Sequence, residues 1–219
     1  MNREQTLYKY YKALSERLGP CHWWPGESPF EIALGAILVQ NTNWANVEKA
    51  IDNLRKNDGL TPHGLRQFSM QELQEMIRPS GFFRMKAMRI ANFLDFLDAN
   101  SAECITDLQE TDTYELREKL LAVNGIGPET ADSILLYALN KAVFVVDAYT
   151  RRIFNRHMLV HEDIDYHELQ EYFMDVLDPD VELYNEFHAL IVRTAKEWCK
   201  KNNPDCENCP LGKFLENRL

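Results

Sequence analysis

LLAVNGIGPETADSILLYALNKAVFVVDAYT, residues 120–150, reads as a helix, a glycine turn, a second helix, a short apolar run and one isolated carboxylate. Asn124-Gly125-Ile126-Gly127 interrupts the helical pattern. Glycine at 125 and 127 opens backbone angles closed to other residues and removes side chains from the turn. Pro128 suits the first position of the helix that follows. The unpaired N–H groups of that helix start and of the loop point outward together. Such a cradle takes an anion, and a phosphodiester fits it without any base being read. Beyond the second helix, Val143-Phe144-Val145-Val146 reads as a buried run, and Asp147 follows it directly. An acid delivered from an apolar run is desolvated on at least one side. That predicts an upward pKa and marks Asp147 as a candidate functional group.

Outward from this stretch, helical periodicity dominates and no strand pair is evident, so the expected fold class is all-α. Residues 3–18 read as an amphipathic helix stopped by Gly19-Pro20. A rigid aromatic loop follows, Cys21-His22-Trp23-Trp24-Pro25-Gly26, either covering the end of a bundle or offering a wall on which a base stacks. Ser28 and Pro29 open a helix that is apolar almost all round, and therefore central; it ends near Gln40-Asn41-Thr42-Asn43-Trp44. A turn at Arg78-Pro79-Ser80-Gly81-Phe82-Phe83 precedes a long helix from Lys86 to Ala99. The hairpin's first helix is capped at Asp112 or Thr113, and later helices span Ala148 to His157, Tyr166 to Leu177 and Glu182 to Lys201.

The chain has 219 residues, 45% hydrophobic, with a formal charge of −10. Residues 158–186 hold ten acidic side chains and no Lys or Arg, so that segment alone equals the net charge. The remainder is neutral and carries three basic runs: Arg78, Arg84, Lys86 and Arg89; Arg151, Arg152 and Arg156; Arg193, Lys196, Lys200 and Lys201. A basic face with an acidic back is compatible with nucleic acid and implies salt-dependent affinity, while each run alone also reads as a solvated helix face. The absence of a membrane-length apolar run or an apolar leader predicts a cytoplasmic protein.

Gly-Ile-Gly-Pro-Glu-Thr-Ala followed by Val-Val-Asp-Ala-Tyr-Thr resembles the helix-hairpin-helix and aspartate signature of the endonuclease III superfamily of DNA glycosylases. The resemblance runs from about Trp23 to Cys209. It implies a two-domain glycosylase fold: a six-helix barrel domain over residues 29–138, and a second domain from residues 1–28 and 139–219, with Asp147 at the cleft. It also implies that duplex DNA containing damaged bases is the partner of a monomeric protein. Asp147 is then the catalytic carboxylate, and Asn124, Gly125, Gly127, Glu129 and Thr130 are the backbone-gripping hairpin. Gln40, in a turn similar to the family's Gln-x-Thr turn, enters the gap left by an extruded base. Phe82, in a Gly-Phe-Phe-x-x-Lys-Ala turn with Lys86, wedges between base steps.

Bifunctional members carry a lysine two residues after the second hairpin glycine; Glu129 stands there. Without that amine no Schiff base with the sugar forms at the position, which implies a monofunctional, hydrolytic enzyme. Together with Trp23-Trp24-Pro25, this looks most like the endonuclease III-like 3-methyladenine DNA glycosylases. Trp23, Trp24, Pro25, Trp44 and, by resemblance alone, Lys196 then make the base pocket. Alkylated purines are cationic and suit an aromatic pocket. The rivals are a bifunctional or pyrimidine-lesion glycosylase and a non-catalytic lesion binder. Glu129 also reads as an ordinary first-turn acid facing its helix dipole, and His22 and His188 as structural histidines.

Five cysteines, three of them near the end, fit metal chemistry better than a disulfide framework. Cys199, Cys206 and Cys209 have the spacing with which endonuclease III relatives hold a [4Fe–4S] cluster, but Leu215 stands where the fourth cysteine falls. The alternatives are an incompletely ligated cluster, a smaller one, recruitment of Cys21, a zinc site using Asp205 or a histidine, and a relic that binds nothing.

Overall fold

A computed structural model describes residues 2–21 and 23–215. Among the described residues there is no strand. The helices are α1 (Arg3–Leu18), α2 (Pro29–Leu38), α3 (Trp44–Arg55), α4 (Pro62–Leu65), α5 (Met70–Met76), α6 (Phe83–Ala99), α7 (Thr113–Leu121), α8 (Pro128–Ser133), α9 (Ala148–Arg156), α10 (Tyr166–Met174) and α11 (Val181–Glu197). Their starts follow local chemistry. Ser28, Asn43 and Asp112 each accept a hydrogen bond from a backbone N–H of the helix they precede, and Asn2, Ser69 and Asp165 form reciprocal capping boxes. None of the described helices is long and apolar enough to cross a membrane. The chain divides into two compact units, Trp24–Lys141 and Met1–Trp23 with Ala142–Leu219.

In the unit Trp24–Lys141, α2 is the central helix, with Phe30, Ala33, Leu34, Ile37 and Leu38 at most 2% exposed. It packs against α3, α6 and α8. Burial of each large side chain contributes about 1.5–3 kcal/mol. The hairpin joins α7 to α8. Gly125 sits at φ 96°, in the region that favours glycine, whereas Gly127 has φ −95° and needs no special freedom. Arg117 on α7 makes a two-pronged pair with Asp132 on α8, at 2.7 and 3.1 Å, with the Asp132 side chain fully buried. The helix expected after Pro128 does not stay α-helical. It widens into a π-helical turn at Ile134–Ala138, all five residues of which are buried. π-turns of this kind recur at functional sites, and this one presents Tyr137 to Trp24, ring centroids 4.9 Å apart.

In the other unit, α11 packs against α9 and α1. Its aromatic core joins Phe144, Phe154, Phe173, Tyr184 and Phe187, with Phe144 stacked on Phe173 at 4.1 Å. The Val143–Val146 run is buried along its whole length. It has no ladder partner; instead the Gln170 side chain donates to the Phe144 carbonyl at 2.7 Å. A chain segment pinned by burial and that bond delivers Asp147 to the start of α9.

Candidate active site

Asp147 is the N-cap of α9, and its two oxygens have different duties. Oδ1 accepts from the Thr150 backbone N–H at 2.7 Å and from the Thr150 hydroxyl at 2.9 Å. Oδ2 takes no part in the cap and faces His188 Nε2 at 3.7 Å. The side chain is 11% exposed. Its pKa is lowered, contrary to the expectation from the apolar run. Burial pushes the carboxyl up, but the facing His188 imidazole and the two Thr150 donors push it further down. The N-terminus of a helix adds to the preference for the anion. The apolar run alone could not reveal His188, which lies 41 residues away on α11 and carries no motif; the sequence reading treats it as structural. Elsewhere in the same unit, Lys196 is exposed and its ammonium lies 5.8 Å from the centre of the Trp23 ring. His22 lies outside the described residues.

The unit Trp24–Lys141 brings Trp24 and Trp44 edge to face, centroids 5.1 Å apart at 88°. Tyr137 joins them, a residue without a sequence signal because the π-turn that aims it is not legible there. Gly35 of α2 permits the approach: a Cβ there would lie 3.2 Å from Trp24 Nε1 and 3.4 Å from Trp44. A cavity beside Trp44 is bounded by Pro25, Gly35, Glu27 and Glu48, with Arg55 paired to Glu31 and Asp52 at 2.8 Å each and to Glu27 at 4.0 Å.

The hairpin residues are placed unevenly. Asn124, Gly127 and Glu129 are exposed. Thr130 is 6% exposed, and its hydroxyl accepts from Gln40 Nε2 at 2.8 Å, so its side chain is turned inward and not toward a phosphate. Phe82 is 62% exposed, in a left-handed conformation at φ 45°.

Lys86 is a correction. It is fully buried and donates to the Leu38 carbonyl at 2.8 Å and the Ser80 carbonyl at 2.6 Å, so its ammonium cannot meet DNA. Desolvation lowers its pKa to about 8. The other basic runs are also partly internal. Arg152 and Arg156 donate to carbonyls at the end of α11, and Arg193 to the Leu18 carbonyl and the Cys21 sulfur. Arg84, Arg151, Lys200 and Lys201 are exposed.

Cys199, Cys206 and Cys209 line one cavity, with Arg156 donating to Cys199 Sγ at 3.3 Å. Leu215 lines the same cavity, at the position of the fourth ligand. Cys21 is not part of it. Among the described residues, no three His, Cys, Asp or Glu converge to hold a single metal ion. The donor set is thus one thiolate short of a four-cysteine cluster.

The helices, the glycine hairpin and the capped carboxylate have counterparts in known proteins. Residues 34–179 match the model of the HhH-GPD superfamily of base excision DNA repair proteins. A Methanocaldococcus jannaschii protein assigned by name to the DNA repair glycosylases (MJ1434) is 45% identical over 215 residues, covering 97% of each chain. The structure of Helicobacter pylori 3-methyladenine DNA glycosylase (MagIII) bound to 1,N6-ethenoadenine is similar at a TM-score of 0.75 and 30% identity, over 90% of this chain and 98% of that one. A non-covalent endonuclease III–DNA complex shares the fold, at a TM-score of 0.82 and 23% identity, over 100% and 98% of the two chains. The chain belongs to the HhH-GPD superfamily and is an endonuclease III-like DNA glycosylase of base excision repair.

Proposed function

We propose that the protein is a monofunctional glycosylase that binds duplex DNA and hydrolyses the N-glycosidic bond of cationic N-alkylpurines such as 3-methyladenine. The observation that carries this reading is the clustering of Trp24, Trp44 and Tyr137, aromatic rings of the kind that attract a flat cation. At the neighbouring cavity Glu27, Glu31, Glu48 and Asp52 outnumber the one cation, Arg55, and the resulting negative field favours the same charge. A base leaving from a cation departs neutral, so the enzyme has little leaving-group work to do.

The chemistry falls to Asp147. Its lowered pKa keeps it anionic at neutral pH. Oδ2, not used by the cap, stabilises the positive charge that develops on the sugar and orients a water toward C1′. The water oxygen forms the new bond, the C–N pair leaves with the base, and the water's proton passes to solvent or through the Asp147–His188 pair. Thr150 fixes the carboxylate's rotation through Oδ1. Glu129 supplies no amine for a Schiff base at the hairpin position, so the abasic product is released intact.

A duplex oligonucleotide with alkylated purines, incubated with the protein and then split into samples with and without alkali, tests this reading. Strand cleavage after alkali alone is expected. Cleavage without alkali overturns the monofunctional reading. Absence of base release by protein that still binds the duplex overturns the substrate class.

A further inference from the structure

Three side chains on one face of α6, Lys86, Arg89 and Asn92, tie together the segments expected to meet DNA. Lys86 spans the end of α2 and the turn before Phe82. Asn92 donates to the Asn124 carbonyl in the hairpin at 2.9 Å. Arg89 donates to Gln40 Oε1 and lays its aliphatic stem over Gly125, where a Cβ would collide with it.

Gln40 is consequently held at both ends of its amide. Nε2 donates to the Gly125 carbonyl at 3.1 Å and to the Thr130 hydroxyl at 2.8 Å, while Oε1 accepts from Arg89. The orientation is fixed by its partners. A guanidinium only donates and a carbonyl only accepts, so a flipped amide would set donor against donor and acceptor against acceptor. Both amide hydrogens are committed, and one lone pair of Oε1 remains.

A side chain reads a base with discrimination when it offers donor and acceptor side by side to one base edge. Gln40 in this setting has no donor left. We propose that Gln40 fills the space of an extruded base without reading the base opposite, and that the Gly125 carbonyl and the Thr130 hydroxyl, which take both of its amide hydrogens, enforce this indifference. The inference rests on the DNA-glycosylase reading and on Gln40 entering the duplex, and not on the alkylpurine substrate.

The test uses the full chain and four duplexes carrying a tetrahydrofuran abasic-site analogue opposite A, C, G or T, with affinity read by fluorescence anisotropy. The analogue has no base, so the result does not depend on which lesion is excised. For the native protein the four dissociation constants should agree within about twofold, since no two-point base contact is available. Gln40→Ala should weaken all four together. Thr130→Val keeps the branched shape but removes the hydroxyl that accepts one amide hydrogen. The released donor then lies beside the remaining lone pair of Oε1, the two can pair with one base edge, and the spread should widen to about tenfold or more. A native spread of that size overturns the inference. So does a Thr130→Val protein of native circular dichroism whose spread is unchanged, because the committed amide hydrogens would then not be what prevents reading. Gln40→Ala without effect on any duplex also overturns it. Failure to bind any of the four removes the inference along with the DNA reading, whereas failure to release alkylpurines does not touch it.

Discussion

Replacing Arg117 by Met should destabilise the hairpin far more than a surface ion pair would. The Asp132 carboxylate is fully buried and the Arg117 side chain only 13% exposed, with both prongs within hydrogen-bond distance. Removing the guanidinium leaves a carboxylate in the interior without its counter-charge, a change that costs about 3–5 kcal/mol. For a chain of this length that corresponds to a fall in Tm of about 6–20 °C. The pair joins α7 to α8, so the hairpin should loosen first and DNA affinity should fall with it. Adding Asp132→Leu removes the second buried charge and should recover most of the loss, because a buried ion pair and a well-packed apolar pair are of similar stability. Urea denaturation of both single variants and the double variant closes the cycle. A cost below about 1 kcal/mol for Arg117→Met, the range of exposed pairs, would refute the reasoning. So would a double variant no more stable than the single one.

Titration of Asp147, followed through its carboxyl carbon by NMR, should give a midpoint below the ordinary 3.8. The depressed value means its contribution to stability is complete above the unfolded-state pKa and disappears as pH falls through the folded-state one; a midpoint above 3.8 would show that burial outweighs His188 and Thr150. Lys86 carries the opposite sign of linkage. Its folded-state pKa of about 8 lies below the usual 10.5, so the unfolded chain binds more protons between these values and stability from this group rises with pH across that window, by up to about 3 kcal/mol. The neutral amine retains two donors for the Leu38 and Ser80 carbonyls, and Lys86→Met should lack the rise; identical pH dependence of urea midpoints in both proteins would contradict this. Trp44→Ala removes one stacking face and should lower alkylpurine excision by about 5- to 150-fold, the worth of one base–aromatic contact, with native circular dichroism; an unchanged rate places the base elsewhere.

The helices were largely legible because their signals are local. Ser28, Asn43 and Asp112 cap where side-chain chemistry says they should, and residues 3–18 form the expected helix to the residue. The placement of Asp147 at the end of a buried run was legible because Val143–Val146 is apolar throughout. What was not legible depends on partners distant in the chain. The pKa direction of Asp147 turns on His188, and the inward turn of Lys86 turns on two carbonyls that a basic run cannot disclose. Tyr137 reaches Trp24 through a π-turn that has no periodicity signature. Arg152 and Arg156 read as a basic face, but the carbonyls at the end of α11 claim them. A charge run records composition, and only packing decides which members face solvent.

The central claim is that Asp147 performs hydrolytic release of an alkylated purine. Its most direct test is chromatographic measurement of free 3-methyladenine released from methylated duplex DNA by the native protein and by Asp147→Asn, with DNA affinity measured in parallel. The account predicts steady release by the native protein and a rate lowered at least about 100-fold in the variant, with DNA affinity retained. Release by Asp147→Asn at a rate close to native would contradict it.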